Sequence, residues 1–104
     1  MINLDSSMFA EKIAESDVVV LDVRTPEEFN SGHIPNAINI DIYSDYFNSD
    51  IAALDKSKSY AVYCRSGKRS VDATSEMDVI GFKTTYNLTG GIIEWVDSGR
   101  ETVN

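Results

Sequence analysis

The sequence predicts an α/β fold with a mainly parallel sheet, and three observations lead there. Short apolar runs alternate with amphipathic stretches along the chain. Two of those runs, Val18-Val19-Val20-Leu21 and Tyr60-Ala61-Val62-Tyr63, are unbroken, the pattern of strands covered on both faces. The chain has 104 residues, the size of one domain over residues 1–104 with a single buried interior.

The elements follow in order. Ile2 to Leu4 reads as a short edge strand. Ser7 to Glu15 places Phe9, Ala10, Ile13 and Ala14 on one helical stripe. Val18–Leu21 is the first buried strand. Thr25-Pro26-Glu27-Glu28 is a helix start: Thr25 caps, Pro26 suits the first helical position, and Glu28 completes a capping box. Gly32 can end that helix. Ala37–Ile40 is a further strand, and Asp41 to Leu54 reads as one or two short helical turns. After Tyr60–Tyr63 comes a helix from Ser70 to Ile80, with Val71, Met77 and Ile80 as its apolar face and Gly81 as its stop. Thr84–Leu88 is the last strand. A helix from Ile92 to Asp97 follows Gly90-Gly91. Trp95 is read as a core anchor, and Tyr43, Tyr46 and Phe47 are read as core, with an apolar patch near the site as the alternative.

Composition narrows the function. The net charge is −8, so nucleic acid and anionic membranes are poor partners. No run approaches the roughly 20 apolar residues of a membrane span. Met1 to Asp5 lacks the basic and long apolar stretches of a signal peptide. One cysteine allows no internal disulfide, which suits a reducing compartment, and a cytoplasmic location is expected. One histidine and one cysteine cannot make a His/Cys zinc site, and neither metal nor other cofactor is expected.

The chemistry concentrates in Cys64-Arg65-Ser66-Gly67-Lys68-Arg69-Ser70. This segment ends a strand, turns tightly and enters a helix. A loop of that kind aims several backbone N–H groups at one point, and the helix dipole favours negative charge there. Gly67 permits the turn. Ser66 and Ser70 add hydroxyls, and Arg65, Lys68 and Arg69 make a basic island in an acidic chain. Such surroundings lower a thiol pKa, so Cys64 is read as a thiolate nucleophile that needs no neighbouring base. The bland reading, a cysteine buried as a small hydrophobe, does not account for the basic loop around it.

Three segments together resemble a single-domain rhodanese-like sulfurtransferase. They are Leu21-Asp22-Val23-Arg24-Thr25-Pro26-Glu27-Glu28-Phe29 running on through Gly32-His33-Ile34-Pro35-Asn36-Ala37-Ile38-Asn39, the loop Cys64 to Ser70, and Asn87-Leu88-Thr89-Gly90-Gly91-Ile92-Ile93-Glu94-Trp95. The resemblance implies a five-stranded parallel sheet flanked by helices. It also implies a Cys64 persulfide, loaded from thiosulfate or a related donor and discharged to a thiophile: cyanide in an assay, a thiol or protein in the cell.

By that resemblance Arg65 matches a thiosulfate-binding position, whereas Ser66 stands where two-domain enzymes often carry lysine. Asp22, Arg24, Glu28 and His33 are framework residues. Four residues separate Cys64 from Arg69, the sulfurtransferase spacing. The wider loops of related phosphatases and arsenate reductases have five. A non-enzymatic or persulfide-delivery interaction module is the alternative, and a cysteine phosphatase or arsenate reductase ranks below it. The chain is expected to act as a monomer or weak homodimer.

Overall fold

A computed structural model describes all 104 residues. One sheet holds five strands: β1 (Ile2–Leu4), β2 (Val18–Asp22), β3 (Ile38–Asn39), β4 (Ser59–Tyr63) and β5 (Thr84–Leu88). Their spatial order is β1-β5-β4-β2-β3, and every neighbouring pair is parallel. An isolated antiparallel bridge joins His33 to Val103 outside these strands. The helices are α1 (Ser6–Ile13), α2 (Pro26–Asn30), α3 (Phe47–Ala52), α4 (Lys68–Val79) and α5 (Gly91–Asp97). No helix is long and apolar enough to cross a membrane.

The unbroken apolar runs are explained by two hydrophobic layers. Successive residues of a strand face opposite sides of the sheet. Along β4, Ala61 and Tyr63 join a layer with Phe9 of α1 and Ile92 and Trp95 of α5. Tyr60, Val62 and Cys64 join the other, with Phe47 and Ile51 of α3 and Ala73 and Met77 of α4. Both faces are therefore apolar, and no polar alternation survives.

The sheet also sets the place of the site. The chain leaves β2 toward β3 on one side and leaves β4 toward β5 on the other. The crevice at the carboxyl ends of β2 and β4 is the usual ligand position in such sheets. Asp22 ends β2, and Cys64 directly follows β4.

Three expectations are corrected. Helix α4 starts at Lys68 rather than Ser70, because Gly67 (φ 101°) turns the chain into the helix early. Its buried face is Ser70, Ala73, Thr74 and Met77, whereas Val71 and Ile80 are exposed. Small side chains let the helix lie close to the sheet, and the buried hydroxyl of Thr74 donates to the Ser70 and Val71 carbonyls. Tyr43 and Tyr46 stand on the surface, and only Phe47 of that trio enters the core. Trp95 is buried as expected, its Nε1 donating to the Glu101 carbonyl at 2.8 Å.

Candidate active site

The loop after β4 folds back on its own cysteine. Cys64 is 1% exposed, and its Sγ accepts the Gly67 N–H at 3.1 Å and the Ser70 N–H at 3.4 Å. The Ser70 Oγ lies 3.4 Å away. Ser70 is the third residue of α4, so its N–H belongs to the unpaired first turn, and the positive end of the helix faces the sulfur.

Burial pushes the Cys64 thiol up. Hydrogen bonds from Ser70, Gly67 and Ser66 outweigh that, and the net shift is downward. A lowered pKa raises the thiolate fraction near neutrality.

The carbonyls of the loop point the other way and are held by α5. Ile92 N–H donates to the Cys64 carbonyl at 3.0 Å, and Ile93 N–H to the Arg65 carbonyl at 3.2 Å. This contact requires Gly91, whose φ is 65° and whose added Cβ would lie 2.1 Å from the Arg65 carbonyl oxygen. Gly67 is equally constrained, since a Cβ there would lie 2.2 Å from the Thr89 carbonyl oxygen. Gly91 thus lets α5 dock on the cysteine loop.

The three cations of the loop differ in use. Arg69 is clamped by Glu28 in a two-pronged pair, Nη1 to Oε1 at 2.8 Å and Nη2 to Oε2 at 2.9 Å. Hydrogen bonding from Arg69 lowers the Glu28 carboxyl to about 2, against the opposing effect of burial, with help from the Thr25 N–H. Glu28 also closes the capping box of α2, so one carboxylate ties α2 to the first turn of α4. Arg65 and Lys68 are exposed, and neither takes part in a salt bridge. Arg65 edges a cleft of about 440 Å³ shared with Arg24, Glu28, Gly32, Ile92 and Asp97.

Asp22 and Arg24 form a buried pair at the end of β2. Arg24 Nη2 donates to Asp22 Oδ2 at 2.7 Å and to the Gly32 carbonyl at 2.7 Å, and Nε spans both Asp22 oxygens. The guanidinium also lies over the Tyr63 ring, 5.6 Å from its centroid. The pair therefore fastens the turn after α2 to the end of the sheet. His33 stacks on Phe29 with centroids 3.7 Å apart, and its Nδ1 donates to the Phe29 carbonyl at 2.9 Å.

The structure thus gathers Cys64 to Ser70 at one point, with Glu28 joined to them through Arg69. Asp22, Arg24 and His33 lie in the supporting frame. Two residues that sequence reasoning passed over belong here as well. Asn87 of β5 takes the Ser70 hydroxyl on its Oδ1, and its Nδ2 donates to Asn3 Oδ1 at 3.1 Å. An amide between Tyr86 and Leu88 in an apolar strand was the available signal.

A parallel α/β sheet with a thiol cradled by backbone N–H groups at its carboxyl end defines a cysteine-centred anion site. The rhodanese-like domain family pattern matches residues 5–98, and the chain belongs to that family. A sulfurtransferase of Allochromatium vinosum is 34% identical over 105 residues, covering 99% of this chain and 96% of that protein. A tRNA uridine(34) hydroxylase of Yersinia pestis is 33% identical across 94% of this chain, which spans 29% of that longer protein. A rhodanese-related protein from Thermoplasma volcanium has a solved structure that superposes with a TM-score of 0.87 at 32% identity. That match covers 99% of this chain and 98% of the other.

Proposed function

We propose that this rhodanese-like domain is a sulfurtransferase that carries sulfane sulfur on Cys64, with thiosulfate as an effective donor. One observation carries the reading. The Cys64 sulfur accepts two backbone N–H groups at the start of a helix, in a loop that also carries the exposed cations Arg65 and Lys68. That arrangement stabilises a sulfur anion and draws an anionic donor to it.

In the first step the Cys64 thiolate attacks the outer sulfur of thiosulfate. The donor S–S bond breaks, sulfite leaves with the electron pair, and Cys64 keeps a terminal persulfide anion. In the second step a thiophile attacks that terminal sulfur. The new bond takes the sulfur away, and the electron pair of the broken S–S bond returns to Cys64 Sγ. Cyanide serves as the assay thiophile and leaves as thiocyanate. In the cell the acceptor is a thiol of a small molecule or of a protein. A sulfur carried in this way requires Cys64 to return to its reduced form, which suits the cytoplasm.

The test is intact mass after incubation with thiosulfate and removal of the donor. The expected result is a gain of one sulfur on the wild type, none on Cys64→Ser, and discharge by cyanide with formation of thiocyanate. A folded, reduced protein that gains no sulfur would exclude thiosulfate as an effective donor. A serine variant that forms thiocyanate at the wild-type rate would remove Cys64 from the reaction.

A further inference from the structure

The Ser70 hydroxyl has one proton and three neighbours that can take it. Asn87 Oδ1 is nearest at 2.5 Å, the Gly67 carbonyl lies at 3.1 Å, and Cys64 Sγ lies at 3.4 Å. The first two can only accept. Ser70 is fully buried, Asn87 is 2% exposed and Cys64 1%, so the three groups meet inside the protein. The Asn87 amide points its Oδ1 at Ser70 and its Nδ2 at Asn3 of the adjacent edge strand. Asn3 pairs with Asn87 across β1 and β5, and Asn3 Oδ1 takes the Nδ2 hydrogen, which leaves Asn87 Oδ1 facing Ser70.

We propose that Asn87 is a positioning residue that directs the Ser70 hydroxyl proton and thereby limits hydrogen bonding to the Cys64 sulfur. In the thiol form the chain runs from Cys64 S–H to Ser70 Oγ and from Ser70 O–H to Asn87 Oδ1, and every group is satisfied. Once the sulfur is an anion, it and Asn87 Oδ1 compete for the same proton. The sulfur anion then holds the fixed N–H groups of Gly67, Ser70 and Ser66 outright and shares the Ser70 hydroxyl with Asn87 Oδ1. The consequence is chemical. A thiolate that gains a full extra hydrogen bond becomes less basic and also less nucleophilic. Asn87 therefore keeps Cys64 ionisable through the backbone cradle while preserving the reactivity of the thiolate that forms.

The experiment reads Cys64 directly and needs no sulfur donor, so its outcome is separate from the sulfurtransferase reading. The rate of alkylation by iodoacetamide is followed from pH 4 to 10 in wild type, Asn87→Leu, Ser70→Ala and the double variant. Removing Asn87 Oδ1 leaves the Gly67 carbonyl and the sulfur as the hydroxyl's acceptors, and the sulfur anion, being charged, is the stronger of the two. In Asn87→Leu the midpoint is expected to fall by about one pH unit. The high-pH plateau is expected to fall about threefold, the loss of nucleophilicity that accompanies that drop in basicity. In the Ser70→Ala background Asn87→Leu is expected to change neither quantity, because the coupling runs through the hydroxyl.

The charged groups around the loop are Arg65, Lys68 and Arg69, with Glu28 of α2 against Arg69 and the Asp22–Arg24 pair at the end of β2. None is altered in these variants. A midpoint in Asn87→Leu that rises or stays in place overturns the proposal, since a loosened cradle loses N–H bonds and moves the midpoint upward. An equal shift with and without the Ser70 hydroxyl overturns it as well. If Asn87→Leu does not fold, Asn87→Val, closer in size to the asparagine and also without an acceptor, decides. A lowered midpoint in that variant supports the proposal, and an unchanged one overturns it.

Discussion

Arg65 and Arg69 carry the same charge on one loop and serve different ends. The Arg69 guanidinium is held by both oxygens of Glu28. The side chain of Arg65 is exposed and has no salt-bridge partner, so its charge is available to a donor. Arg65→Ala is therefore expected to raise the KM for thiosulfate about tenfold, the value of one charge-assisted contact of ~1.4 kcal/mol. The alkylation rate of Cys64 by neutral iodoacetamide is expected to stay within about twofold of wild type, because the sulfur is held by backbone N–H groups. Steady-state kinetics beside the alkylation rate checks this. Parallel losses in both would show that Arg65 shapes the cradle and does not recruit the donor. This division between the arginines was not legible in the sequence, which presents Arg65, Lys68 and Arg69 as one basic cluster. Glu28 is 41 residues from Arg69 along the chain, and only the fold brings them together.

At the scale of elements, the site depends on two contacts to the cysteine loop, one from α5 and one from α2. The α5 contact rests on Gly91. Gly91→Ala forces a side chain into a left-handed backbone position and against the Arg65 carbonyl. The expected cost is about 1–3 kcal/mol in urea unfolding, with slowed alkylation of Cys64 as the loop carbonyls lose their anchors. An unchanged midpoint of unfolding would mean that α5 can shift without disturbing the loop. The α2 contact is the Glu28–Arg69 clamp, and it responds to acid. The Glu28 carboxyl lies lower in the folded chain, at about 2, than its ordinary 4.5. A group depressed on folding stabilises the fold fully above its unfolded value and loses that contribution as pH falls toward its folded value. Thermal melts are expected to show that loss between about pH 4.5 and pH 2, and Glu28→Gln to remove it, which leaves a flatter profile across the same window.

The elements themselves were largely readable, and the misreadings share a cause. Thr25, Pro26 and Glu28 marked α2 locally, and the capping box is present as expected. The face of α4 is not the one hydrophobicity predicts, because its packing uses Ser70, Ala73 and Thr74. Burial there is decided by closeness to the sheet and not by hydrophobicity. Residue type alone puts Tyr43 and Tyr46 in the core, yet they stand 70% and 71% exposed. The Tyr43 ring lies under Arg69, 5.7 Å from the guanidinium, so its position is set by a charge from a distant helix.

For the molecule as a whole, the net charge of −8 and the basic loop act on an anionic donor with opposite sign. Distance and salt decide which wins. The chain measures 34 × 27 × 22 Å. At about 10 mM ionic strength the Debye length is roughly 30 Å, so an approaching dianion feels most of the acidic surface at once. At about 100 mM the length is roughly 10 Å, which hides the distant carboxylates and leaves the loop and its cleft to act near Cys64, where Arg65 and Lys68 are the cations without a salt-bridge partner. Near 1 M it shrinks to about 3 Å, and those cations are screened too. If thiosulfate is the donor, its kcat/KM is expected to rise between about 10 and 100 mM salt and to fall toward 1 M, passing through a maximum. A neutral alkylating agent is expected to show no such maximum, which separates steering from any effect of salt on the fold. A monotonic fall for thiosulfate would place control with the local cations at every distance. A monotonic rise would mean that the loop charges never govern the approach, and that the donor is captured only by the N–H cradle around the sulfur.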